Sequence, residues 1–168
     1  TKDMFLVYGG DKELVVNGYV DASFDTDPDD SKLQTGYVFI LNGGAVSWSS
    51  SKQSVVAASM CESEAANEGV WMKEFISDLG VIPSASSPMK IFCDNTGAIT
   101  LAKESRFHKR TKHIKRCFNS IRDLFQVGDM EICKIHTDLN VAHPLTKPLP
   151  QAKHDQHQGS MGVRIITV

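Results

Sequence analysis

Three carboxylates stand at points where the chain changes direction. Asp94 follows the apolar run Met89, Ile91, Phe92, Cys93 and precedes a helix-like run, Ala98-Ile99-Thr100-Leu101-Ala102-Lys103. A carboxylate between a strand and a helix N-terminus occupies the place where open α/β sheets put their sites. Taken alone, Asp94 reads as a turn residue beside the potential caps Asn95 and Thr96. Asp21, however, ends a second strand-like run, Leu14-Val15-Val16-Asn17-Gly18-Tyr19-Val20-Asp21, and Glu62 opens a predicted helix. Three acids gathered at the ends of sheet elements repel one another unless a divalent cation sits among them.

The elements that must position these acids are legible in outline. After the first strand, an Asp-rich stretch from Asp25 to Ser31 reads as a turn built from residues that bond their own backbone; it lacks the Gly and distal Glu of a calcium loop. Strands predicted over 36–41 and 45–49 flank Asn42-Gly43-Gly44, a strong hairpin signal. The first three strands are thus expected to form an antiparallel meander. A helix is predicted from about 57 or 59 to 79, closed by Gly80, with Trp71, Phe75, Ile76 and Leu79 as its core-facing stripe. The strand over 89–93 follows, then a short helix, then a longer one over about 111–127, with Ile114, Phe118, Ile121, Leu124 and Phe125 at helical spacing. Residues 130–136 alternate as a last strand, and a turn at 137–140 leads to Val141-Ala142-His143-Pro144-Leu145. Beyond Pro150 periodicity is lost, so 151–168 is expected to be a loosely held tail. Trp48 is expected in the core. The result is a mixed sheet with helices packed on it.

The chain has 168 residues, enough for one domain with a real core, with 41% hydrophobic and 23% charged content. No apolar run approaches the roughly 20 residues of a membrane span. With no secretory leader visible and no Met at position 1, a fragment of a longer intracellular polypeptide is expected. Cys61, Cys93, Cys117 and Cys133 lie in apolar contexts with no CxxC, as in reduced, buried thiols. Cys61 has no positioned base and is not read as a nucleophile. Neither GxGxxG nor GxxxxGK[ST] occurs, so the nucleotide folds lack their fingerprints. Net charge is −2, but residues 106–116 carry six Lys/Arg and no acid, leaving 12 Lys/Arg against 20 Asp/Glu, or −8, elsewhere. Such a segment is either a phosphate-binding patch or a solvated helix face.

The element order and the placing of the acids resemble the ribonuclease H fold, and the sequence resembles the ribonuclease H domain of Ty1/copia-type retrotransposon polyproteins, with a plant element the nearest in character. The motifs that carry the resemblance are Gly18-Tyr19-Val20-Asp21-Ala22, Gly36-Tyr37-Val38-Phe39, Ala45-Val46-Ser47-Trp48, Cys93-Asp94-Asn95-Thr96-Gly97-Ala98-Ile99, Thr111-Lys112-His113-Ile114 and Leu145-Thr146-Lys147-Pro148-Leu149. The resemblance implies an α/β fold with a five-stranded mixed sheet over 14–150. Residues 1–13 would be a lead-in resembling the connection from a reverse transcriptase. It also implies hydrolysis of the RNA strand of an RNA–DNA hybrid with two Mg2+ ions, held by Asp21, Glu62, Asp94 and a fourth residue. Asp21 would bridge the two ions. Lys109, Arg110, Lys112, Lys115 and Arg116 would grip the hybrid backbone, and Ser47 and Trp48 lie where a DNA strand would be touched. The implied partners are the hybrid and the reverse transcriptase domain of the parent polyprotein, without a membrane, in the cytoplasm or nucleus.

Two departures bear on that expectation. The fourth acid of the family lies in Asn-Val-Ala-Asp-Pro-Leu-Thr-Lys, and here His143 replaces it. An imidazole removes one negative charge and favours Mn2+ over Mg2+. The helix after Glu62 is also shorter than the family's by about six residues, which is not a whole number of turns at about 3.6 residues each. Glu62 then either keeps its orientation by a shifted helix start or yields its place to Glu64 or Glu68. His136, before the last turn, is either a strand-end surface residue or an aid to proton transfer and product release. His108, His113 and the pair His154, His157 read as solvated. A non-catalytic ribonuclease H-like module binding nucleic acid or protein is the alternative function.

Overall fold

The structure, a computed structural model, describes residues 3–9, 14–24, 33–53, 58–80, 87–103 and 128–165; the side chains of 24, 33, 53, 58–63, 98 and 101–103 fall outside that description. The first strand, β1 (Met4–Leu6), stands apart from the main sheet. That sheet is built from β2 (Val16–Phe24), β3 (Leu33–Leu41), β4 (Gly44–Gln53), β5 (Met89–Cys93) and β6 (Met130–Lys134), in the order β4-β3-β2-β5-β6. β2, β3 and β4 pair antiparallel, whereas β2–β5 and β5–β6 are parallel. The expected five-stranded mixed sheet with an antiparallel meander is therefore present. The hairpin turn is Asn42-Gly43, with φ of 50° and 78°. Both residues are left-handed, as a two-residue turn matched to strand twist requires.

α1 (Ala58–Leu79) packs on one face of the sheet, and Gly80 ends it at φ 64°. Its core face differs from the predicted stripe. Ala65, Ala66, Gly69, Met72 and Ile76 are buried, while Trp71, Phe75 and Leu79 are 48–56% exposed. Small residues at helical spacing let the helix lie close to the sheet, and bulky ones are turned outward. Trp71 and Phe75 cover part of each other, stacked with ring centroids 5.4 Å apart. The core on this face adds Val16, Val20, Phe39, Met89, Ile91 and Ile132. Each such side chain contributes about 1.5–3 kcal/mol when fully buried. Trp48, expected inside, is 58% exposed, because β4 is the edge strand among the described residues.

The opposite face is covered by the chain after β6. A 3-10 turn at Thr137–Leu139 and a second at His143–Leu145 bring Val141 and Ala142 against Val38 and Ala45. The expected loose tail is instead α3 (Gln151–Ser160) followed by β7 (Val163–Ile165). β7 pairs antiparallel with β1. Ala45 N–H donates to Met161 O (2.8 Å) and the Tyr8 hydroxyl to Ala45 O (2.7 Å), tying both ends of the chain to the β3–β4 hairpin. α3 has little apolar content to signal it. What fixes it is local: its N-terminus follows Pro150, and it buries His157. The short helix after β5 is α2 (Thr96–Lys103), and the last strand stops at Lys134, two residues earlier than expected. The helix predicted over 111–127 lies outside the described residues.

Candidate active site

The parallel register between β2 and β5 places the first two acids. Val20 and Cys93 are the last paired residues of that ladder. Asp21 and Asp94 are the next residues of two strands whose axes lie about 4.8 Å apart. Asp21 is not at the end of its strand, since β2 runs on to Phe24 in its pairing with β3. It stands where β5 stops. Asp94 leaves the sheet there and α2 begins two residues later, so the two acids stand side by side at the C-terminal edge of the parallel strands, where open α/β sheets place their sites.

Asp21 is 4% exposed. Burial pushes its carboxyl above the ordinary Asp range, and neighbouring Asp94 reinforces the shift; the Thr146 hydroxyl, His143 and Lys147 oppose it. The Thr146 hydroxyl donates to Asp21 Oδ2. Thr146 Oγ1 also lies 3.1 Å from His143 O, so its single proton has two acceptors to choose between. Thr146 reaches Asp21 because Gly36, cross-strand from Asp21, has no side chain. A Cβ there would meet Leu145 Cβ at 2.7 Å. The Ser50 hydroxyl, also opposite Gly36, donates to Leu145 O (2.6 Å).

Asn140 is fully buried and joins the two strand ends. Its Nδ2 donates to Val20 O (2.8 Å) and to Asp94 Oδ1 (3.3 Å), while its Oδ1 accepts from Ala142 N–H (3.2 Å). Lys134 donates to Asp94 O and, at 2.7 Å, to Thr96 Oγ1, holding the turn that carries Asp94.

The other residues singled out in the sequence are distributed as follows. Glu62 lies in α1 with its side chain outside the described residues. Glu64 is exposed, and Glu68 accepts from Ser47 Oγ (2.7 Å) on the sheet face that carries α1, away from Asp21. His143 is 7% exposed. Its Nδ1 lies 3.2 Å from Thr137 O, and its ring meets that of His157 edge-on, centroids 6.2 Å apart. His157 is buried, not solvated, and burial together with His143 holds it below the ordinary imidazole range. His136 is exposed; its Nδ1 accepts from Asp138 N–H (3.2 Å), and Lys153 on α3 pairs with Asp138. Lys109, Arg110, Lys112, Lys115 and Arg116 lie outside the described residues. Among the described residues, no three His, Cys, Asp or Glu side chains stand close enough together to hold a metal, and no helix is long and apolar enough to cross a membrane.

No protein-family model matches the chain. It is 36% identical over 156 residues to a retrovirus-related Pol polyprotein from transposon TNT 1-94 of Nicotiana tabacum, a match covering 89% of this chain and 11% of that one. It is 33% identical over 156 residues, with the same shares, to the Pol polyprotein of transposon RE2 of Arabidopsis thaliana. Its homologues are Pol polyproteins of plant Ty1/copia retrotransposons. It spans 11% of the length of these relatives.

Solved structures assign the fold of this Pol segment. The N-terminal ribonuclease H domain of a Mycobacterium tuberculosis protein superposes with a TM-score of 0.54 at 13% identity, over 88% of this chain and 99% of that one. A compost-derived ribonuclease H1, LC11, solved in complex with an RNA/DNA hybrid, gives 0.51 at 15%, over 78% and 93%. The segment thus has the ribonuclease H fold. Two of its site residues, Asn140 and Thr146, escaped sequence reasoning, although Thr146 lies in the Leu145-Thr146-Lys147 motif. A polar residue whose hydrogen-bond partners are distant in the chain carries no signal in composition or periodicity.

Proposed function

We propose that this Pol segment is a ribonuclease H-type hydrolase acting on the RNA strand of RNA–DNA hybrids. The observation that carries the reading is the adjacency of Asp21 and Asp94 at the end of the parallel ladder, in a fold that a relative uses to hold an RNA/DNA hybrid. Two hard oxygen donors side by side suit Mg2+. The Asp21 carboxyl, raised first by burial and then by Asp94 beside it, is the kind of perturbed acid that functional sites collect. Asp21, Asp94 and Glu62 would hold the ions, which when bound supply an activated water and neutralise the leaving oxygen. His143 stands in sequence where the fourth acid is expected, but its ring is turned to His157, so this reading leaves the ions to the three carboxylates with one negative charge fewer than the family pattern.

The chain's own residues do the rest. Thr146 and Asn140 fix the two carboxylates in place. His136 accepts a backbone N–H at Nδ1, so its neutral ring carries the proton on an exposed Nε2, suited to exchange with solvent or product. Lys109, Arg110, Lys112, Lys115 and Arg116 would contact backbone phosphates, an affinity that falls with salt and ignores sequence. Groove width and the 2′-hydroxyls would mark the RNA strand. The reverse transcriptase domain of the parent polyprotein, inside the cell, is the expected covalent neighbour.

A second reading, a non-catalytic hybrid-binding module, is favoured by one observation: His143 takes the place of an acid and turns its ring to His157. A labelled hybrid incubated with Mg2+ or Mn2+, with EDTA as blank, separates the two. EDTA-sensitive cutting of the RNA strand, abolished by Asp94→Asn with the circular dichroism unchanged, supports the hydrolase. Cleavage at the wild-type rate by Asp94→Asn sinks the site assignment. Salt-sensitive binding without cleavage by either ion supports the module.

A further inference from the structure

His143 and His157 form a buried pair outside the carboxylate centre. Thr137 O can only accept, so the contact at His143 Nδ1 puts the proton on that nitrogen and leaves Nε2 as a lone-pair acceptor. That Nε2 is buried and has no hydrogen-bond partner among the described residues. A buried polar atom without a partner calls for an occupant, an ordered water or an ion. An imidazole whose other nitrogen donates to a backbone carbonyl is the usual arrangement of a metal-ligating histidine.

His157 supplies the second ring. It is 3% exposed, in the last turn of α3, with its centroid 6.2 Å from that of His143. Two imidazoles sharing an ion at about 2.0–2.1 Å from each nitrogen have centroids roughly 5–6 Å apart. The rings meet at 68°, and closing them on one ion calls for a rotation about χ2, a broad torsion.

We infer that His143 Nε2 and His157 form a two-histidine site for a borderline transition-metal ion such as Zn2+, separate from the Asp21–Asp94 pair. Imidazole selects this ion class, while Mg2+ prefers carboxylate oxygen. No third His, Cys, Asp or Glu among the described residues completes a closed set, so the remaining positions go to water and the site is open. An ion there links the 3-10 turn at His143–Leu145 to α3, binding the folded chain and not the unfolded one. The inference does not depend on the hydrolase reading.

Calorimetric titration of the whole chain with Zn2+ tests it, alongside His143→Gln, His157→Gln and the double variant Asp21→Asn/Asp94→Asn. The expected result is one Zn2+ per wild-type chain, binding weakened at least about tenfold by either histidine substitution, and binding within twofold of wild type in the carboxylate double variant. In wild-type protein, which needs no refolded variant, the imidazole nitrogen resonances of His143 should shift at Nε2 on adding Zn2+. Absence of Zn2+ binding means that water fills the position, and overturns the inference. So does unchanged affinity in a folded histidine variant, a Zn2+ site lost with the carboxylates, or an unmoved His143 Nε2 resonance.

Discussion

Thr146 donates its hydroxyl to Oδ2 of Asp21, joining residues 125 positions apart in the chain. The contact is the pin between the last segment of the domain and the strand that carries the central acid. Thr146→Val keeps the shape of the side chain and removes the proton. A buried carboxylate oxygen then loses its donor, which costs about 1–3 kcal/mol. Urea unfolding of the variant in EDTA should show that loss, and cleavage should fall with it because Asp21 is no longer held. A variant as stable as wild type would mean that the hydroxyl serves His143 O instead.

Asp21 itself is held against its own preference. Its carboxyl lies above the ordinary Asp range through burial first, with Asp94 adding to it. A group whose folded value is raised binds its proton more tightly in the folded than in the unfolded state. Its ionisation therefore costs stability as pH rises from the unfolded value, about 3.9, through the folded one. The expected outcome is that Asp21→Asn melts higher than wild type at neutral pH in EDTA, and that the two converge below about pH 4, where Asp21 is protonated in both states. Melting curves across that range check it. A variant less stable than wild type at pH 7 would show that the carboxylate is better solvated than its burial implies.

Gly36 sets how closely the 143–146 segment approaches Asp21. A methyl group at position 36 would sit 2.7 Å from Leu145 Cβ and 3.2 Å from Thr146 Cγ2. Gly36→Ala should therefore cost about 1–3 kcal/mol by overpacking and push Thr146 off Asp21. Denaturation gives the first effect. The second appears as a loss of cleavage larger than the unfolded fraction accounts for. Wild-type stability would indicate that the segment moves aside freely.

These relationships mark the boundary of what the sequence discloses. The Asn42-Gly43 hairpin, the strand over 89–93 and the Gly80 helix stop were readable because each rests on local backbone chemistry. The adjacency of Asp21 and Asp94 followed from the ribonuclease H pattern, and its register came from the structure. Of the apolar stripe that helical spacing predicts, Trp71, Phe75, Ile76 and Leu79, only Ile76 is buried. The sheet instead demanded Ala65, Ala66 and Gly69 for close approach, leaving Trp71 and Phe75 to stack on the outside. α3 escaped because its buried residue is His157, a polar type that periodicity counts as solvent-facing. Asn140 and Thr146 act across 120 and 125 residues, a separation that no local pattern encodes.

His143 is the position where the chain departs from its family, and restoring the acid is the sharpest test of what the departure does. His143 acts on the charge of Asp21, so a carboxylate placed there would add repulsion where imidazole adds none. It would also leave Thr137 O without its ring partner. In EDTA, His143→Asp should thus melt below wild type. With Mg2+ the order should change, because a ligand that binds only the folded state stabilises it in proportion to its affinity, and a fourth acid raises that affinity. The expected outcome is a larger Mg2+-induced rise in melting temperature than wild type shows, with faster Mg2+-dependent cleavage of the hybrid. An equal response to Mg2+ in the two proteins would place residue 143 outside the cation site and leave Asp21, Asp94 and Glu62 to hold the ions alone.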